Sequence, residues 1–208
     1  MRIDALSSAQ DRAGRYRVSL DDGSVLRLYR QTVEDFGLYA GMELSREEYT
    51  ALVEAAGQMS AKMRAVRIVS ASSVSKKDLQ QRLIRKGEDP QQAKNAVEWM
   101  CQLDLVDDRK TAQQIVQRCI SKGYGINRAR QALYEKQIPK NLWEEALSEY
   151  PDQADAITLY LQDHLDENSD RKAVQKAIEA LIRRGHNYAQ IKRCLHHISY
   201  NSEDFPEE

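Results

Sequence analysis

The feature that most constrains this chain is a repeat. Leu83-Ile84-Arg85-Lys86-Gly87 returns as Leu181-Ile182-Arg183-Arg184-Gly185, and the same offset of 98 carries Ala93 onto Ile191, Val97 onto Leu195 and Met100 onto Ile198. An offset of 50 places Leu83 on Leu133, Lys86 on Lys136, Ala93 on Trp143 and Val97 on Leu147. Three copies at a period of about 48–50 residues point to stacked supersecondary units, each with an apolar stripe too short to stand alone.

Each copy has the same layout. In the first, Ser75 caps an opening helix with Asp78 three residues on, and Gly87 ends it where a left-handed residue is wanted. Asp89 then caps the next helix, with Pro90 in its first turn. Gly185 and Asn187 play the stop and start roles in the third copy. The middle copy has Gln137 where the others have glycine, so a less regular turn is expected there. A further helix precedes each pair, over 46–67, 108–122 and 153–165. Ser45 and Glu48 form a capping-box pattern at the start of the first; Asp107 caps the second and Gly123 ends it.

Ahead of the repeats, residues 15–29 read as a hairpin. Tyr16, Val18 and Leu20 alternate on one strand, and Leu26 and Leu28 on the other. A three-residue loop of Asp21, Asp22 and Gly23 sets Val18 opposite Leu26 and Tyr16 opposite Leu28, with Gly23 in the left-handed position. A third short strand is expected around 38–44, with Gly37 and Gly41 as turn residues. The expected fold is mainly α: three tandem three-helix modules in an elongated helical repeat, after a small β-hairpin or three-stranded element. The divisions are 1–44 for the β element, 45–104, 105–150 and 151–200 for the modules, and 201–208 for a flexible tail.

Several functions are disfavoured. The charged start lacks a signal-peptide core, and no stretch approaches the roughly 20 apolar residues of a membrane span, so a cytoplasmic protein without membrane attachment is expected. Cys101, Cys119 and Cys194 are far apart and unpaired in pattern, which argues against disulfides and zinc. His196 and His197 diverge on a helix, and His164 and His186 have no spaced partner. No nucleophile, phosphate-loop or metalloprotease motif occurs. A non-enzyme without cofactor or metal is the expectation.

The net charge of -1 hides a gradient: -3 over residues 1–60, +9 over 61–140 and -7 over 141–208. A central basic block in a near-neutral chain points to an anionic partner or to solvated helix faces.

Asp78-Leu79, Leu83 and Lys86-Gly87, then Leu105-Val106-Asp107-Asp108 with Ala112, then Lys122-Gly123-Tyr124-Gly125, Leu133 and Lys136-Gln137-Ile138-Pro139 resemble, in order and spacing, the motifs of the RecX family of regulatory proteins. The resemblance covers nearly the whole chain, and the hairpin resembles that of the family's longer members. Two departures stand out. Ser-Ala-Ser-Ser-Val-Ser-Lys-Lys replaces an Arg-rich approach to the first motif, and Gln137 replaces a glycine. The resemblance implies binding along the RecA–DNA filament and inhibition of ATP hydrolysis and strand exchange; a monomer is expected. DNA, single- or double-stranded, is a further implied contact of the basic block. A helical DNA-binding protein acting independently of RecA is the alternative.

The candidate contact residues are the cations on the modules' opening helices and turns: Lys76, Lys77, Arg82, Arg85 and Lys86; Lys122, Arg128, Arg130 and Lys136; and Arg183 and Arg184. Lys86, Lys136 and Arg184 also sit where a cation favours the helix dipole. Tyr124, between two glycines, either stacks on a partner or packs back on its own module. Trp99 and Trp143 keep core spacing.

Overall fold

A computed structural model describes residues 1–166 and 169–198; the expected tail at 201–208 lies outside the described residues. The chain divides into two compact units, one from Met1 to Val106 and one starting at Asp107.

The first unit opens with a three-stranded antiparallel sheet, β1 (Ile3–Leu6), β2 (Arg15–Leu20) and β3 (Val25–Tyr29), in the order β1-β2-β3. The β2–β3 register pairs Val18 with Leu26 and Tyr16 with Leu28, as the alternation requires. Gly23 has φ of 81° and its amide bonds the Leu20 carbonyl, closing the three-residue loop. The third strand is not where the sequence placed it. β1 supplies it, paired to β2 around an irregularity between Ile3 and Ala5, whereas the 38–44 stretch contributes only an isolated bridge from Glu43 to Arg2. A short helix unforeseen in the sequence, α1 (Arg30–Asp35), follows β3 directly.

The 26-residue helix α2 (Arg46–Ala71) joins two cores. Its start is fixed by the capping box: Ser45 Oγ accepts from the Glu48 amide, and Glu48 Oε2 accepts from the Ser45 amide at 2.8 Å. Leu52 closes the apolar underside of the sheet with Ile3, Val18, Leu20 and Leu28. Further along, Ala61, Ala65 and Ile68 pack against α3 (Lys76–Arg85) and α4 (Pro90–Gln102) through Leu79, Leu83, Ala93, Val97 and Met100. Alanines on facing helices let the backbones approach closely.

The second unit holds two more three-helix modules. α5 (Asp108–Ser121), α6 (Ile126–Glu135) and α7 (Trp143–Leu147, after a 3-10 turn at Lys140–Leu142) enclose Ala112, Val116, Leu133 and Ile138. Trp143 packs on this core, and its indole N–H donates to the Ile138 carbonyl at 3.0 Å. α8 (Ala154–His164), α9 (Arg171–Arg183) and α10 (Tyr188–His197) enclose Ile157, Leu161, Ile178, Leu181 and Ile191. Asp89, Asp107 and Asn187 each cap their helix through a side-chain oxygen, as the sequence predicts. Trp99 packs half-buried on the first module's core, under the Lys62 ammonium.

The turn at Gln137 is a correction to the expected irregularity. Gln137 takes φ of 55°, and the Ile138 amide bonds the Leu133 carbonyl at 3.0 Å. The glycine turns make the same bond, Glu88 to Leu83 and His186 to Leu181, at 3.1 Å each. The fold imposes the left-handed conformation on a residue with a Cβ, at a cost of about 1–2 kcal/mol. Gln137→Gly should therefore stabilise the second unit by about 0.5–1 kcal/mol in urea unfolding, the gain being reduced by glycine's larger entropy loss.

Candidate functional site

The sequence-predicted cations separate into two surfaces, one on each unit, with five residues outside both. Lys76, Lys77 and Arg85 project from exposed positions of α3. Arg130 bonds Asn127 on α6, and Lys136 ends that helix half-buried.

On the second unit, Tyr124, Arg128, Arg183 and Arg184 line one open depression of about 440 Å³ together with Tyr160, which the sequence reading did not single out. Lys122 stands beside it, its ammonium 6.0 Å from the centre of the Tyr124 ring. What assembles these residues is contact between two helix-ending turns. The Gly125 amide donates to the Arg184 carbonyl at 2.9 Å, and the Asn127 amide to the Gly185 carbonyl at 3.2 Å. A Cβ on Gly125 would overlap the Gly185 carbonyl, and one on Gly185 would overlap the Arg128 backbone. Close backbone approach therefore requires glycine at both positions, and at Gly185 the φ of 90° requires it as well. The Ile126 amide, at the N-terminus of α6, donates to Gln153 Oε1 and adds a side-chain tie.

His186 completes the clasp. It is 4% exposed, and its Nε2 faces the Gly123 carbonyl at 3.1 Å, so Nε2 must carry the proton. Its Nδ1 is buried with no hydrogen-bond partner among the described residues. Burial holds the imidazole below its ordinary pKa, with the nearby Arg184 guanidinium acting in the same direction and the Gly123 bond opposing. Tyr150, whose hydroxyl donates to the Tyr124 carbonyl at 2.8 Å, is pushed up to about 12 by burial. Cys119 lies under the same surface. Arg128, Lys122 and Arg118 pull its thiol down, but burial outweighs them and raises it.

The aromatic rings here are already engaged. Tyr160 stacks on His164 with centroids 4.0 Å apart, and the Arg184 guanidinium lies 4.9 Å from the Tyr160 ring centre. Lys122 approaches the Tyr124 ring. The surface presents guanidinium and ammonium groups supported on rings rather than open rings for base stacking. Its acidic neighbours are sparse: Glu135 reaches Arg128 at 3.4 Å and Glu179 reaches Arg183 at 3.9 Å, both pairs being solvent-exposed and weak.

On the first unit, Arg82 and Lys86 border a second depression with Arg15, Arg64 and Arg67, none of which the sequence reading selected. Arg64 and Arg67 stand three apart on α2, a spacing that puts both on one face and was available as a signal. Arg15 comes from β2, so only the tertiary fold brings it there. Among the described residues, no group of three or more His, Cys, Asp or Glu can hold a metal ion, and no helix is long and apolar enough to cross a membrane.

Tandem three-helix modules that gather cations at their turns define a helical-repeat protein. Residues 107–147 match the family model described as "RecX, second three-helix domain". The chain is 27% identical to "Regulatory protein RecX" of Clostridioides difficile (strain 630), over 87% of this chain and 88% of that one. It is likewise 27% identical to the protein of that name from Vibrio parahaemolyticus, over 70% and 94%. A crystal structure of regulatory protein RecX shares the fold, with TM-score 0.63 at 22% identity over 92% of this chain and 98% of that one. RecX from Lactobacillus salivarius does so with TM-score 0.61 at 19% identity over 69% and 97%. The chain is thus similar to proteins named regulatory protein RecX over most of its length, and to the family's second three-helix domain over residues 107–147.

Two outcomes follow from the clasp. Gly125→Ala should destabilise the second unit by about 1–3 kcal/mol in denaturant unfolding, because the added methyl must displace backbone. The depressed His186 pKa means that the unfolded chain binds more protons near that value. Stability of this unit should therefore be undiminished above about pH 6.5 and fall as pH drops from there toward the folded pKa. Urea midpoints measured from pH 8 to 5 should show that slope, and His186→Gln should flatten it.

Proposed function

We propose that this protein is a regulator that binds the RecA–DNA filament and restrains the recombinase, acting in the cytoplasm as a monomer without chemistry of its own. The observation that carries the reading is the cationic surface built by Lys122, Arg128, Arg183 and Arg184 across two clasped modules, in a chain whose relatives are named regulatory proteins over most of their length.

The physics of the surface suits an extended anionic partner. Arg184, held over the Tyr160 ring, is partly preorganised, so less side-chain entropy is lost when it pairs with a carboxylate or phosphate. A second module in tandem supplies a further contact at high effective concentration. Association through exposed cations is steered by charge and weakens with salt.

The test is the single-stranded-DNA-dependent ATPase of the cognate RecA, titrated with this protein at fixed low salt. A dose-dependent fall is expected, with no hydrolysis by the protein alone. Lys122→Glu combined with Arg183→Glu, both at exposed positions, should raise the inhibitory concentration by about tenfold or more. An unchanged ATPase together with no co-sedimentation on filaments would overturn the proposal.

A further inference from the structure

The depression on the first unit has the makings of a small-anion site. It has a volume of about 520 Å³, within the range of small-ligand pockets. Five cationic residues line it, Arg15, Arg64, Arg67, Arg82 and Lys86, and no carboxylate does. Three of the five are matched by carboxylates outside the lining. Arg82 pairs with Asp78 through two bonds of 2.9 Å, Arg64 Nε with Glu88 at 2.7 Å, and Arg15 with Asp11 at 2.8 Å.

Arg67 and Lys86 are different. Among the described residues, no carboxylate pairs with either. Arg67 Nη2 is held by two neutral acceptors, the Ala13 carbonyl at 2.9 Å and the Tyr29 hydroxyl at 3.2 Å. The guanidinium is therefore positioned without being neutralised, and the phenol, acting as acceptor to Arg67, keeps its own proton for another acceptor. Tyr29 is buried, which fixes that hydroxyl. Two unbalanced positive charges and a hydroxyl donor converge over an apolar floor that includes Ile68 and Ala71.

We infer that this depression, between the β element and the first helical module, binds a phosphate dianion, either free or as the terminal phosphate of a nucleotide. A dianion matches the two uncompensated charges, and guanidinium groups match its oxygens in pairs. The depression is larger than a phosphate group alone requires, leaving room for an attached nucleoside against the floor. The inference is independent of the filament proposal, because the site faces a small ligand and its test needs no recombinase.

The full chain is titrated by calorimetry in phosphate-free, low-salt buffer with inorganic phosphate, 5′-AMP and adenosine. Saturable binding of phosphate and AMP is expected, and none of adenosine. AMP binding more tightly than phosphate identifies a nucleotide ligand; equal affinities identify free phosphate. Arg67→Gln and Lys86→Gln should each weaken binding by about tenfold or more, as loss of a charge-assisted bond requires. Lys86 is exposed, so its variant reports on binding even if the Arg67 variant unfolds. Tyr29→Phe should weaken binding with the fold intact by circular dichroism. Absence of saturable binding at millimolar phosphate and AMP, or full affinity in Lys86→Gln, would overturn the inference. So would equal affinity for an oligonucleotide without a terminal phosphate, which would reassign the surface to a polynucleotide backbone.

Discussion

Each module depends on one backbone hydrogen bond, from the third residue past a helix end to the carbonyl five residues back. It joins Glu88 to Leu83, Ile138 to Leu133 and His186 to Leu181. The three leucines are completely buried, so the residue whose carbonyl stops the helix also anchors the core. The bond requires a left-handed residue in between, which is Gly87, Gln137 or Gly185. The amide donor's own side chain is thereby aimed in a set direction. Glu88 reaches Arg64 and Ser60 on α2, Ile138 enters the second core, and His186 reaches Gly123. One turn geometry therefore ends a helix, fills a core and tethers the next element.

The first unit relies on a different economy. α2 gives its first half to the sheet and its second half to a helical module, so neither core closes without it. The β2–β3 hairpin would be marginal by itself. Leu52 under the sheet and Arg67 against Ala13 and Tyr29 couple it to the helices, which is also what frames the cationic depression.

The elements with local signals were legible in the sequence. Capping residues, glycine stops, leucine repeats and the hairpin loop each state a backbone geometry without needing a distant partner. β1 and α1 carried no such signal. Ile3–Leu6 is only four residues long, with Ile3 alone fully buried, and becomes a strand because β2 offers an edge. Arg30–Asp35 has no side-chain cap and a single fully buried residue, Thr32. Among the candidate residues, those on the repeated turns could be named from their spacing, but their grouping could not. Averaging charge by blocks assigned Arg15 to an acidic segment and separated it from Arg64 and Arg67. Tyr160, in the most acidic third, gave no sign that it would support Arg184. Gln137 misled because sequence preference describes the cost of a conformation, not whether the surrounding fold will bear it.

The clasp between the turns at Gly125 and Gly185 has a kinetic consequence. His186 and Gly123 are 63 residues apart. The other helix–helix contacts of these modules lie within one repeat. Local contacts close quickly, whereas a loop of that length carries a larger entropy of closure before any contact repays it. Each three-helix module thus has the means to collapse first, with the two glycine turns meeting last. During synthesis, the second module emerges with its Gly125 amide still without the acceptor that the third module brings.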